Sequence, residues 1–473
     1  MSDRQSKEEI WDQWVRRTIL PDIHSTATPD PVPMVDDSDS ELSMTEEYDS
    51  YRLGRGSGDY LYLLYLLDEP ADGPSDVIPV YIGETSNVAS RLMNHFRKLR
   101  DALPISEWED DGSWGSYGKY DHIATVYEKS ASQLYAWVVN VDDLEVGPYG
   151  YSTYRHELEG KMVGLVHSIP RFDRVFANRD FVPNRVPHEM GKVGPDWVDG
   201  DNMPSNEEAQ RLVDSSVDTV SAETKSDLWH DWVEDTICRD IDDSDEADPI
   251  PLFETDGDLT VETKTAGSST VLKRSDAIDE RIRREGTQCV HSDGVRDGES
   301  GLLYVLYQIP SNTEQPSPSD IVPRYIGKAE AYGKKNELSA NFEEIAKDRG
   351  ATRSFARWGD GSYWHVGELS ETVFGETSKK LSWASELFEE GTRRLEEQTY
   401  LWIRAWDPDT YPGPYGYPVY LAEVEPLLVG LAYEAYPEQL LNHNEVPDHA
   451  PANSRDFEFQ PAKIHSAETL DRV

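Results

Sequence analysis

The sequence predicts an α+β protein built from two homologous halves, each a small, mainly antiparallel sheet flanked by helices and preceded by a Trp-bearing helix. Three observations lead there. Landmarks recur in the same order along the chain. Within each stretch of landmarks, β-type runs and helical periods alternate. Acidic, Pro-containing segments separate the patterned parts.

The repeat starts at KEEIWDQWVRRTILPDI (7–23), which is echoed by KSDLWHDWVEDTICRDI (225–241). DPVPM (30–34) is echoed by DPIPL (248–252), YLLYLL (62–67) by YVLYQI (304–309), and IPVYIG (78–83) by VPRYIG (322–327). GPYGY occurs at 147–151 and 413–417. HELEGKMVGL (156–165) matches AEVEPLLVGL (422–431), and FVPN (181–184) matches EVPD (445–448). Chance does not keep so many matches collinear. The first repeat spans 1–186: helix 7–23, acidic connector 24–58 and core 59–186. A polar linker follows at 187–222. The second repeat spans 223–473: helix 225–241, connector 242–299, core 300–450 and tail 451–473.

In the first core, YLYLLYLL and PVYI read as a hairpin with a Pro/Asp/Gly loop. NVASRLMNHFRKLRDAL reads as a helix, because Val88, Leu92, His95/Phe96 and Leu99 recur at helical spacing. HIATVY and LYAWVVNV read as two further strands, and GPYGY as a turn. ELEGKMVGLVHSI reads as a helix ending before Pro170. The expected order is β-β-α-β-β-α. The Trp helices (Trp11, Trp14; Trp229, Trp232) are expected to cap each core.

The chain has 473 residues, with 91 acidic against 45 basic and a formal net charge of −46. Such charge alone suggests disorder. The 13 Trp and 25 Tyr, spread through the same segments, argue for a folded protein. The composition fits adaptation to molar salt, where counterions screen the self-repulsion. Two cysteines, Cys238 and Cys289, make neither a disulfide framework nor a zinc spacing. No stretch approaches a membrane span, and the start MSDRQSKEEIWDQW lacks a secretory apolar region. The expectation is a cytoplasmic protein with no membrane partner.

Tyr60-Leu61-Tyr62, Tyr81-Ile82-Gly83, Arg91 and His95 four apart on the next helix, Glu159 on a later helix and Asn178 near the end form an ordered set. This set resembles the GIY-YIG nuclease superfamily over 59–186 and, more weakly, 300–450. Tyr60 stands at the first glycine, with Gly58 two residues earlier, and the Glu-to-Asn gap is longer than the family pattern. The resemblance implies a metal-dependent endonuclease hydrolysing phosphodiester bonds in DNA. Tyr62 and Tyr81 would hold and deprotonate the water. Arg91 would fork onto phosphate, His95 would assist proton transfer, and Asn178 would complete the catalytic set. Glu159 would bind one divalent ion, Mg²⁺ or Mn²⁺. The other reading is a catalytically inactive nucleic-acid-binding or protein-interaction protein on the same scaffold.

Local charge marks a nucleic-acid footprint. Arg97, Lys98 and Arg100 follow Arg91 with no acid between them, and Arg171, Arg174, Arg179 and Arg185 outnumber the acids of their segment. The second half keeps Tyr304, Tyr325, Glu425 and Asn442. Aligning Phe96 on Phe342 sets Glu337 at the place of Arg91 and Asn341 at that of His95, with Lys334 or Lys335 as substitutes. The second copy is therefore expected to be inactive and to position substrate or support structure. Such a chain would act as a pseudo-dimeric monomer or a homo-oligomer.

Overall fold

The computed structural model describes residues 6–23, 32–36, 43–67, 73–103, 118–130, 132–172, 175–178, 224–243, 248–290, 301–311, 313, 315–333 and 337–463. The chain divides into two compact units, Met1–Thr224 and Lys225–Val473. Both are α+β. The expected linker and the ends of the chain lie outside the described residues.

In the first unit the strands are β1 (Val32–Pro33), β2 (Val35–Asp36), β3 (Ser43–Met44), β4 (Ser57–Leu67), β5 (Val77–Asn87) and β6 (Leu134–Asn140). The main sheet runs β1-β6-β4-β5, with every neighbouring pair antiparallel. The 11-residue β4 is buried from Tyr60 to Leu67, because both of its faces are covered. The helix Val88–Ala102 follows β5 directly, and Asn87 caps it by accepting from Ser90 N–H. It buries Val88, Leu92, His95, Phe96 and Leu99, the face expected from their spacing.

Two expectations change. HIATVY is not a strand: it lies inside the helix Lys119–Ser130. His122 to Tyr127 are all buried, and a short run covered on every side carries no period that separates strand from helix. The order is thus β-β-α-α-β-α. The acidic connector is not merely a linker either. Val32, Met34 and Val35 are buried, β1 forms the sheet edge on β6, and the helix Glu46–Leu53 inserts Tyr48, whose hydroxyl donates to Leu92 O at 3.3 Å.

The Trp helix Lys7–Ile23 packs on the sheet. Trp14 meets Trp137 of β6 edge-on at 5.5 Å, and Trp137 Nε1 donates to Asp22 at 2.7 Å. Core capping is what the geometry shows.

The second unit has a hairpin, β7 (Thr263–Ala266) with β8 (Ser269–Leu272), and a sheet of β9 (Gly301–Gln308), β10 (Val322–Glu330) and β11 (Thr399–Ala405) in the order β10-β9-β11. Pro251 bridges Tyr400 beside β11, as Pro33 pairs with Tyr135 in the first unit. Here Trp232 meets Trp402 edge-on at 5.8 Å, and Trp402 Nε1 donates to Asp240 at 2.8 Å. Among the described residues the first unit's long motif helix has no counterpart after β10. Tyr332 and Leu338 form an isolated bridge, and the next helix is only Glu343–Ala346. Both GPYGY segments are turns, closed from Gly147 N–H to Tyr151 O and from Gly413 N–H to Tyr417 O, with Gly150 and Gly416 at positive φ. No helix among the described residues is long and apolar enough to cross a membrane.

Candidate active site

The β4–β5 hairpin brings the two tyrosine motifs together. Tyr62 lies opposite Gly83, and their register sets the Tyr62 ring over the glycine. A Cβ on Gly83 would fall 2.2 Å from the Tyr62 hydroxyl, so only glycine fits. Tyr62 and Tyr81 rings sit 6.1 Å apart.

The following helix supplies Arg91 and His95. Arg91 Nε donates to the Tyr62 hydroxyl at 2.9 Å, and that hydroxyl lies 2.8 Å from His95 Nε2. Because the guanidinium can only donate, the phenol's own proton points to His95 Nε2. His95 Nδ1 then faces the Tyr120 hydroxyl at 3.2 Å, and a proton on Nδ1 completes the chain Tyr62–His95–Tyr120. Lys119 Nζ donates to the Tyr81 hydroxyl at 3.0 Å. Lys119 and Tyr120 were not expected from the sequence. They start the helix misread as a strand, so nothing located them beside the tyrosines.

Burial raises the Tyr62 hydroxyl well above the ordinary phenol value. The neighbouring Tyr81 and Glu159 add to this, and Arg91 opposes it. Tyr81 is raised by burial and by Glu159, against Arg91. Glu159 is thus near enough for its charge to act on both phenols. Burial works against the charge on Arg91, but Tyr62 and Tyr81 outweigh it and hold the guanidinium protonated. His95 is pushed well below the ordinary imidazole value by burial and by Lys119, Arg91 and Lys98, so it is neutral at pH 7.

Asn178 does not face the tyrosines. Its Oδ1 accepts from Ile82 N–H at 2.8 Å and its Nδ2 donates to Ile82 O at 2.7 Å. β5 is the edge of its sheet, and Asn178 satisfies the backbone between Tyr81 and Gly83 on the open side. It is a positioning residue rather than the catalytic one expected.

Among the described residues no group of three or more His, Cys, Asp or Glu could hold a metal ion. A divalent ion here would rest on Glu159, water and substrate oxygens. That suits Mg²⁺, which keeps several waters and needs only one or two carboxylates.

Arg97, Lys98 and Arg100 are exposed on the motif helix, with Lys98 over the Tyr120 ring at 5.1 Å. Arg171 is engaged elsewhere: it pairs with Asp12 at 2.7 Å and Glu8 at 3.3 Å on the Trp helix, so it ties that helix down. Arg174, Arg179 and Arg185 lie outside the described residues.

In the second unit Tyr304 lies opposite Gly327, and a Cβ on that glycine would fall 2.7 Å from the Tyr304 ring and hydroxyl. Asn442 grips Ile326 as Asn178 grips Ile82, at 3.0 and 2.8 Å. The alignment that set Glu337 and Asn341 against the tyrosines does not describe the molecule. His365 Nε2 lies 3.2 Å from the Tyr304 hydroxyl, and Arg357 lines the same pocket as that tyrosine, close enough for its charge to oppose the rise in the phenol's proton affinity. Both come from a later segment. Phe355, Ala356 and Arg357 hold φ of 36°, 52° and 73°, a left-handed turn that costs roughly 1 kcal/mol or more per residue. Lys334 and Lys335 lie outside the described residues. One sequence signal was available: DGSW (111–114) and DGSY (360–363) mark a further match, which registers the segment carrying Arg357 and His365.

Compared with known proteins, the chain matches no family, no curated protein and no solved structure.

Proposed function

We propose that the first unit is a metal-dependent endonuclease that hydrolyses phosphodiester bonds in DNA, on a GIY-YIG-like scaffold present twice in the chain. The observation that carries this reading is the Tyr62 hydroxyl held between Arg91 Nε at 2.9 Å and His95 Nε2 at 2.8 Å, with the Glu159 charge near both tyrosines. A merely structural tyrosine in a sheet does not need a guanidinium and an imidazole on one oxygen.

The chemistry follows from the protein groups. Tyr62 takes a proton from the attacking water as its own proton shifts to His95 Nε2 in one concerted relay, and the negative charge of the bound phosphodiester offsets the cations that depress the imidazole. Tyr81, held by Lys119, orients that water. The hydroxide adds to phosphorus and the bond to the leaving oxygen breaks, with Arg91 countering the charge on the phosphoryl oxygens. A divalent cation on Glu159 would remove that carboxylate's share in raising the two phenols, which burial raises first, and would favour charge on the leaving oxygen. Arg97, Lys98 and Arg100 extend positive charge along the same helix toward the DNA backbone.

The burial of Tyr62 favours a second reading, a catalytically inactive binding protein on this scaffold, because ionising a buried phenol is costly. One assay separates the two. Supercoiled and branched DNA are incubated with wild type, Arg91→Ala, Glu159→Gln and Glu425→Gln, with Mg²⁺ or Mn²⁺, over KCl up to molar levels. The nuclease reading expects metal-dependent nicking that drops by roughly 100-fold or more in Arg91→Ala and Glu159→Gln and persists in Glu425→Gln. A folded wild type that cuts none of these substrates at any salt supports the binding protein.

A further inference from the structure

The second unit contains a pocket of about 320 Å³ lined by Tyr304, Tyr325, Lys328, Arg357, Lys380 and Glu425, among others. Three cations line it. Lys380 lies over the Trp383 ring at 4.0 Å and over Tyr325 at 5.6 Å, so its ammonium is held by aromatic faces. Arg357, on the left-handed turn, lines the pocket together with Tyr304. Lys328 directly follows the motif glycine, and its ammonium lies 3.6 Å from Glu425 and 3.4 Å from Glu330.

The units differ at that position in a way that changes the chemistry. In the first unit the residue after the glycine is Glu84, an acid paired with Arg155 at 2.6 Å. In the second it is Lys328, and Leu421 replaces Arg155 in the matched helix. Burial acts against the Lys328 ammonium, but Glu425 and Glu330 outweigh it, so the lysine stays charged. The positive charge that Glu159 would draw from a divalent ion is thus already covalently part of the second unit. Burial, with Arg357 nearby and Glu368 opposing, brings Lys380 down to about 8, so its proton is held but loosely. An anion entering the pocket would relieve that desolvated charge.

We infer that the second unit carries a phosphate-binding site for a nucleic-acid strand, formed by Arg357, Lys380 and Lys328, that works without a divalent metal. The left-handed turn buries Phe355 and Ala356 in the core and so fixes Arg357 at the pocket, while Lys380 is fixed there by two aromatic faces. The two cations converge where a phosphodiester would meet Tyr304 and Tyr325. The site would grip one part of a substrate strand independently of any cutting in the first unit. The class of ligand rests on the proposed phosphodiester chemistry; the metal independence rests on Lys328 alone.

The test uses the full chain and a short fluorescent single-stranded DNA, read by anisotropy in EDTA at low and at molar KCl. Wild type is expected to bind in EDTA and to be displaced by unlabelled strand. The double variant Arg357→Gln/Lys380→Gln should bind roughly tenfold more weakly or worse, whereas Arg357→Lys/Lys380→Arg keeps binding. Lys328→Gln should lose affinity in EDTA and recover it in Mg²⁺. Circular dichroism verifies that each variant is folded, and Lys328→Gln serves should the double variant unfold. Three results overturn the inference: EDTA abolishing wild-type binding, a folded double variant binding like wild type, or no binding of the strand by folded wild type at either salt. The readout needs no cleavage, so failure here and failure of the nuclease assay are separate events.

Discussion

Tyr62 and Tyr304 each share their hydroxyl with a histidine whose proton affinity is lowered, and this has a consequence for stability. Burial, then nearby cations, push His95 and His365 well below the ordinary imidazole value. In the unfolded chain both take up protons near pH ~6.5. Unfolded chains therefore bind more protons than folded ones just below that pH, and stability rises with pH there. The contribution is fully present above pH ~6.5 and is lost as pH falls toward the depressed folded values. At fixed high KCl, the urea unfolding midpoint should drop between pH ~7.5 and pH ~5.5. The slope should flatten in His95→Asn/His365→Asn. An unchanged slope in that variant would mean that neither histidine is held neutral by the fold.

At the scale of elements, two edge strands depend on a distant asparagine. β5 and β10 each leave one side open, and Asn178 and Asn442 reach back across the fold to Ile82 and Ile326. Neighbouring backbone bonds reinforce each grip: Ala177 N–H donates to Val80 O and Leu441 N–H to Arg324 O, both at 2.7 Å. Asn178→Ala strips two partners from buried backbone. It should cost about 1–3 kcal/mol and speed amide exchange of Ile82 and its neighbours, while Arg91→Ala leaves that exchange unchanged. Equal exchange in both variants would remove the positioning role. The motif helix shows the opposite case. In the first unit its 15 residues hold Arg91 and His95 one turn apart, so local spacing alone places both. In the second, a left-handed turn carrying Arg357 and the first residue of the helix His365–Val373 supply the corresponding groups from farther along the chain.

For the whole molecule the governing quantity is the net charge of −46. Like charges repel over distances up to about the Debye length, which falls from ~10 Å at 0.1 M to ~3 Å at 1 M salt. The compact state concentrates that repulsion, so screening favours it. Thermal unfolding should move to higher temperature as KCl rises from ~0.1 M to ~1 M. A flat or falling midpoint would refute adaptation to high salt. The same screening weakens phosphate contacts. Both units answer with groups set close to the tyrosines: in the first a guanidinium directly on the Tyr62 hydroxyl, and in the second Arg357 lining the Tyr304 pocket with a lysine held on aromatic faces.

The sequence by itself determined the α+β class, the collinear repeat, the hairpin of the two tyrosine motifs and the helix that carries Arg91 and His95. These are local: they follow from period, from turn residues and from a glycine that leaves room for a ring. The Trp helices were legible too, because a repeated pair of large aromatics needs a core to cover. Only the tertiary structure decided the rest. It showed a helix where HIATVY reads as a strand, because a run buried on all sides carries no period. It drew the connectors into the sheets through β1 and Pro251. It brought Lys119 and Tyr120 to the first site, and Arg357, His365 and Lys380 to the second. Those groups approach their tyrosines across loops, and no spacing along the chain encodes a contact that closes only when the core packs.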